Sequence, residues 1–304
     1  MMGGYVQLLL PDFSLILAGY LVCRYTLLGR SVWQSVEALV YFFLFPVLLF
    51  HSIVKTPIQV SETSALMAAG LLLSSGGIAL SQLLPRLPGL RRHLHARDHA
   101  GAAQVAFRFN SFIALALAER VAGDAGLQMI AVLIGVCVPL LNVAAVWPMA
   151  RHSEQHVLRE LARNPLIIAT VGGLACNLAG LTLPGWATAP VARIGAASIA
   201  LGLMATGAGL QWGALLEGNR TLSTVLLAIR HLLLPLWAWA LAHVFALDSV
   251  QRSVLLAFSA LPTASSCYVL AVRMGYNGPY VAGLITLSTL LALASLPLAL
   301  GVLL

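Results

Sequence analysis

Two polar interruptions stand inside otherwise apolar stretches of this chain, and their residue types suit the binding of an anion. The first is Arg108-Phe109-Asn110-Ser111, within GAAQVAFRFNSFIALALAERVAG. The second is Pro262-Thr263-Ala264-Ser265-Ser266, within QRSVLLAFSALPTASSCYVLAVRMG. Pro262 cannot donate a hydrogen bond and clashes with the preceding turn, so it interrupts a helix. Thr263, Ser265 and Ser266 are residue types that cap a restarted one. A half-helix that begins at such a point presents unpaired N–H groups and the positive end of its dipole. Two such ends, approaching from opposite directions, would form a small cradle for an anion, with the Asn110 amide turned to the same ligand. The alternative is an ordinary proline kink, with Ser and Thr bonding back to the turn before.

Arg108 sets the sign of the expected ligand. An arginine deep in an apolar span costs about 2.5–3.5 kcal/mol on insertion scales and is usually paired or functional. The carboxylates nearest in depth are Asp12 and Glu37. Either Arg108 pairs with Glu37 or reaches the interface, or it raises the local potential for an anionic substrate. On a regular helix it would point about 200° away from Asn110, so it is expected to act through its field or from a cavity wall. Asn142 and Asn177 are further polar groups within spans; Asn177 reads as bonding a neighbouring helix, whereas for Asn142 that role and a site role are equally open. The histidine-rich stretch from His93 to His99 (HLHARDH) has ligand-type residues but reads as a solvated basic loop.

Composition identifies the elements that must hold these residues. Of 304 residues, 60% are hydrophobic and 9% charged, with a mean hydropathy of +0.92. Soluble domains carry about 25% charged residues, so a water-facing fold and a disordered chain are both excluded. At about 20 residues per crossing, apolar runs mark ten spans, roughly 5–22, 34–54, 63–84, 100–121, 126–149, 164–181, 191–212, 223–246, 252–272 and 279–303. Asn110 and Pro262 each lie about ten residues into their spans, which is about 15 Å, half the hydrocarbon thickness. The opening MMGGYVQLLLPDFSLIL lacks the basic segment of a signal peptide and reads as the start of the first span.

The basic residues divide unevenly between alternate connections. Arg24, Arg30, Arg86, Arg91, Arg92, Arg97, Arg151, Arg159, Arg163, Arg220, Arg230 and Arg273 fall on one side; Lys55, Arg120, Arg193 and Arg252 fall on the other. Basic loops stay in the cytoplasm, which places both termini on the non-cytoplasmic side of the plasma (inner) membrane. The most polar connection, 151–163, joins a first repeat at 1–150 to a second at 164–304. Ala106-Phe107 followed by Leu117-Ala118-Glu119-Arg120 echoes Ala257-Phe258 followed by Leu270-Ala271-Val272-Arg273. Five spans per repeat force the second copy to enter upside down, an architecture that places transporter sites at the repeat interface near the midplane.

Four stretches carry a resemblance to a known family. They are PDFSLILAGYLVCRYTLLG, RFNSFIALALAERVAG, RNPLIIATVGGLACNLAGLTLP and LPTASSCYVLAVRMG. In order and spacing they resemble the auxin efflux carriers, which include plant PIN-type carriers and bacterial transporters of malonate-like acids. The resemblance implies an all-α polytopic membrane protein of ten helices in two inverted five-helix repeats, with helices four and nine broken and crossing at the midplane. It implies a carboxylate substrate at that crossing, held by Asn110, Asn142 and the Pro262–Tyr268 stretch. With Arg108 and Ser111, the expected site is therefore Arg108, Asn110, Ser111, Asn142, Pro262, Thr263, Ser265, Ser266 and Tyr268. One departure is that many relatives carry proline at the first break, where this chain has Asn110-Ser111, so a softer break is expected there.

The reading that follows is a secondary transporter of small organic anions working by alternating access. A sodium-coupled carrier of the bile-acid symporter type would want acidic sodium ligands at the crossing, and a channel or sensor is a further alternative. An intramembrane enzyme is not expected, since HExxH, GxGD and GxSxG are all absent. The net charge of +7 is spread over loops with no basic, aromatic-interleaved helix, so nucleic acid is not an expected partner. Four cysteines without CxxC spacing argue against a disulfide framework or metal site, and no cofactor is expected. The lipid bilayer is the expected environment, and a second copy of the chain is an admissible partner.

Overall fold

In an apolar surrounding, a chain must pair its backbone N–H and C=O groups internally, which favours helices. The computed structural model describes residues 2–55, 60–92, 94–150, 165–214, 218–264 and 266–303. Every regular element among them is helical. The first three are α1 (Met2–Tyr25), α2 (Arg30–Lys55) and α3 (Val60–Leu83). After a single helical turn at Pro88–Arg91 comes the short α4 (Ala96–Ala102), and then the stretch Ser111–Ala150, whose helical geometry fails at Ala122 and Gly123.

That failure is a turn back, not a bend. Residues eight apart in a continuous helix lie about 12 Å apart, yet a Cβ added to Gly126 would collide with the Ala118 carbonyl. Gly123 supplies the positive φ of 58° that the reversal needs. We therefore treat 111–121 as α5 and 124–150 as α6. The rest of the chain forms α7 (Pro165–Leu178), α8 (Gly185–Ala208), α9 (Arg220–Val244), α10 (Ser249–Ala260), α11 (Ser266–Arg273) and α12 (Gly278–Leu303).

Six stretches among the described residues are long and apolar enough to cross a bilayer: Arg30–Lys55, Thr63–Arg86, Ala96–Met149, Gly185–Ala208, Arg220–Val244 and Gly278–Leu303. By contrast, α10 and α11 have 12 and 8 residues. At 1.5 Å per residue, each is too short to traverse about 30 Å alone. The connection 151–163 lies outside the described residues.

Packing gathers the helices in two groups. In one, α1 lies on α8, and α2 lies on α7 and α8. In the other, the 111–150 stretch packs on α10 and α3, α9 on α10 and α3, and α12 on α10 and α11. The α1–α8 seam brings backbone against backbone. A Cβ on Gly19 would overlap the Met204 main chain, and one on Gly207 would overlap the Ile16 carbonyl. Small residues are what permit such close approach.

Two sequence expectations are corrected here. Within the His93–His99 stretch, residues from Ala96 onward form α4, and His99 is buried with Nε2 2.8 Å from the Ser81 carbonyl oxygen. It is a packed helix residue, not part of a solvated loop. Arg230, grouped above with the loop arginines, lies within α9 at the π turn Ile229–Leu233 and is 2% exposed. Its partners belong to the site described next.

Candidate functional site

Both interruptions are real breaks in the backbone. After α4, a 3₁₀ turn at Ala103–Ala106 leads into non-helical residues 107–110; between α10 and α11, residues 261–264 are likewise non-helical. A broken helix leaves carbonyls without acceptor duty and N–H groups without acceptors. Here the two breaks satisfy one another. The Asn110 N–H donates to the Pro262 carbonyl at 2.8 Å, and the Thr263 hydroxyl donates to the Val105 carbonyl at 2.7 Å. The Phe109 and Phe258 rings stack edge-on beside them, centroids 4.5 Å apart. The first break, which lacks proline, is thus bonded directly to the second.

Asn110 is the N-cap of α5. Its Oδ1 accepts from the Phe112 and Ile113 N–H groups at 3.0 and 3.2 Å, and its Nδ2 donates to the Thr206 hydroxyl on α8 at 3.0 Å. Thr206 in turn donates to the Gly202 carbonyl. The Asn110 side chain is 2% exposed and its amide is engaged at both ends. It thereby shapes the half-helix terminus and ties it to α8.

Arg108 does not pair with Glu37. Glu37 is taken by Arg30 at 2.6 Å. The Arg108 guanidinium donates instead to Gln104 Oε1 at 2.9 Å and to Asn142 Oδ1 at 3.2 Å. Both acceptors are neutral, and no carboxylate among the described residues pairs with it. The regular-helix argument about its direction does not apply, since residues 108–110 are non-helical. Gln104 also donates to the Cys267 carbonyl at 3.2 Å, which links the cation to the start of α11. The side chain is half-buried, so a positive charge stands beside the two breaks with no carboxylate partner among the described residues.

A second buried guanidinium serves the other break. Arg230 donates through Nε to the Leu261 carbonyl at 2.5 Å and through Nη2 to the Phe258 carbonyl at 3.3 Å. It thus holds the carbonyl end of α10, where a cation is favoured by the helix dipole. Next to it, His231 bridges the Ser295 and Ser288 hydroxyls at 2.8 and 2.9 Å. Ser288 Oγ accepts from the Thr263 N–H at 2.9 Å, which secures the first residue after Pro262.

The expected site residues are therefore only partly together. Asn110 meets Pro262, and Arg108 meets Asn142, while Thr263 bonds between the breaks. Ser111 and Ser266 are the half-buried first residues of α5 and α11. The Tyr268 ring lies where a Cβ on Gly278 would touch it, on the α12 side. Ser265 is outside the described residues. Asn177 donates to the Ile53 carbonyl at 2.6 Å, a bond to a neighbouring helix. Gln104, Thr206, Arg230, His231 and Ser288 are absent from the expected site. The Arg230-His231 pair inside an apolar run was a visible signal; Thr206 and Ser288 gave none.

The family model described as membrane transport protein matches residues 93–300, more than half of the chain. The chain belongs to that family. The match includes both breaks and every member of the polar cluster around them. This membrane transport protein is also similar to an uncharacterized transporter of Methanothermobacter thermautotrophicus, 24% identical over 298 residues, which is 97% of each chain. The auxin efflux carrier resemblance of the four stretches leads to the same family.

Proposed function

We propose that this membrane transport protein is a secondary carrier of small organic anions, with the substrate carboxylate held beside the two breaks. The observation that carries the reading is Arg108: a half-buried cation that donates to the neutral Gln104 and Asn142 and stands beside the Cys267 thiol, with no carboxylate partner among the described residues, next to the two interlocked breaks. An uncompensated guanidinium next to the positive ends of α5 and α11 favours a bound carboxylate. Malonate-like and auxin-like acids are the substrate class.

In this reading the chain crosses the plasma membrane ten times as two inverted repeats, 1–150 and 164–304, joined by the cytoplasmic connection 151–163. Each broken pair, α4 with α5 and α10 with α11, counts as one crossing. The two helix groups then shift against each other in alternating access. The reciprocal bonds between the breaks support this, because each repeat supplies what the other lacks. The carboxylate-poor cluster gives no support to a sodium-coupled carrier. Both termini lie on the non-cytoplasmic side, and moving Arg230 out of the loops still leaves eleven basic residues against four.

The test is ligand affinity of detergent-purified protein, read by thermal shift against malonate and indole-3-acetate. Arg108→Gln should weaken carboxylate binding about tenfold or more, since bonds to charged groups contribute about 1.5–3 kcal/mol. The remaining affinity should depend less on salt. Unchanged affinity and salt dependence in a well-folded Arg108→Gln protein would move the anion away from the crossing.

A further inference from the structure

A cavity of about 540 Å³ opens between the two helix groups, away from the crossing itself. Its rim is charged, and two ion pairs there join the groups: Asp12 on α1 with Arg120 on α5 at 2.9 Å, and Lys55 on α2 with Asp124 on α6 at 2.7 Å. The wall beyond them is formed by Leu48 of α2, Ala116 of α5, and Ala196 and Ile199 of α8, with His51 of α2 between Leu48 and the rim.

One helical turn beyond these wall residues, on the same faces of the same three helices, stand Phe45, Phe112 and Gly202, none of which lines the cavity. Leu48 is followed inward by Phe45, Ala116 by Phe112, and Ile199 by Gly202, each at the three- or four-residue spacing of one helix face. The Phe112 ring meets the Phe45 ring edge-on at 5.1 Å between centroids. Against Gly202 it leaves no room: a Cβ there would stand 2.5 Å from Phe112 Cδ1 and 2.6 Å from Cγ. A further turn along α8 lies Thr206, bonded to Asn110. Phe112 therefore stands between the cavity and the site residues, two positions after the residue that caps its own half-helix.

We propose that Phe112 is the gate and size filter of this protein: its ring, held between Phe45 and Gly202, separates the cavity from the crossing, and an organic anion passes when that ring turns aside. The assignment rests on the carrier reading for what passes, but not for where the barrier stands. The ring is a barrier of suitable kind, because it is bulky, apolar and only partly buried. Gly202 is the seat that permits the closed position, and the alanines along α8 leave the cavity wide above it. A planar acid that fits past a turned phenyl ring would be carried, and a bulkier one would be retained in the cavity.

The experiment uses single cysteines in a background with Cys23, Cys137, Cys176 and Cys267 replaced by alanine, purified in detergent and checked by thermal unfolding. Ala196→Cys probes the cavity and Thr206→Cys probes the far side of the ring; the probe is a small charged methanethiosulfonate. With Phe112 present, Thr206→Cys should react at least about tenfold more slowly than Ala196→Cys, because a minor open state is populated at about 10% or less. Phe112→Ala should remove most of that difference and leave Ala196→Cys unchanged. Should that variant not fold, Phe45→Ala removes the other ring and must act in the same direction. Equal reaction of both cysteines with Phe112 in place, or continued protection of Thr206→Cys in the folded Phe112→Ala or Phe45→Ala protein, overturns the gate. The carrier reading is judged separately, by malonate and indole-3-acetate uptake into proteoliposomes of the unaltered protein. No uptake together with the expected labelling pattern would refute the carrier and leave the barrier standing.

Discussion

Thr263→Val tests whether the two breaks stabilise each other through hydrogen bonds or merely through packing. The Thr263 side chain is fully buried and its hydroxyl is the donor to the Val105 carbonyl at 2.7 Å. Valine replaces that hydroxyl with a methyl group of nearly the same shape, so the cavity is unchanged while the carbonyl at the end of the 3₁₀ turn loses a partner. Stranding a buried acceptor costs about 1–3 kcal/mol. Thr263→Ser makes the opposite change: it keeps the donor and removes one buried methyl group, worth about 0.8 kcal/mol. The valine variant should therefore be the less stable of the two in thermal unfolding of detergent-purified protein. The bond from the residue-263 backbone N–H to the Ser288 hydroxyl does not involve the substituted side chain and is retained in both. Hydrogen exchange should report the loss locally, with faster exchange at Asn110, whose N–H donates to the Pro262 carbonyl of the other break. If the valine variant matches the unaltered protein while the serine variant falls below it, the breaks are held by packing and the reciprocal-bond argument fails.

Three further outcomes are expected. Asn110→Ala removes the α5 cap and should lower stability by about 1–2 kcal/mol, measured by thermal unfolding, and should weaken carboxylate binding, whereas Asn177→Ala should alter binding less. In intact cells, impermeant thiol reagents should label a single cysteine near Gln59, which lies outside the described residues, but not one near His95; equal labelling would defeat the both-ends-out topology. Uptake into proteoliposomes at fixed membrane potential should proceed without sodium, and a strict sodium requirement would put the alternative, a sodium-coupled carrier of the bile-acid symporter type, in first place.

The positions of the breaks were legible because their cause is local. Pro262 interrupts a helix whatever surrounds it, and Asn110-Ser111 in an apolar run is a polar anomaly that any hydropathy reading finds. What the side chains do there was not local. Asn110 reads in the sequence as a ligand group; that it also caps α5 follows from the fold, since a break with no proline needs a cap and the residue at its end provides it. Arg108 was assigned a direction from helical rotation, which has no meaning across a non-helical stretch; its partner Gln104 was four residues away in sequence, while Asn142 could be reached only through folding. Arg230 shows the limit most clearly. Its proximity to a loop in sequence suggested an interfacial cation, and only the π turn in α9 and the open carbonyls of α10 explain why it is inside.

The glycine contacts between α1 and α8 have a mechanical consequence. Where Gly19 lies on the Met204 main chain and Gly207 on the Ile16 carbonyl, no layer of side chains separates the two backbones. Side chains can change rotamer to let one helix slide by a turn along another; a peptide unit resting in a glycine notch has no such freedom. The two helices are thus keyed together as a single beam, and Asp12 and Thr206 are anchor points on one stiff member. Opposite the key, α8 offers Ala192, Ala196 and Ala200 to the cavity. Methyl groups in that row provide little relief for a neighbouring helix to catch on, so shear is resisted on one side of α8 and tolerated on the other.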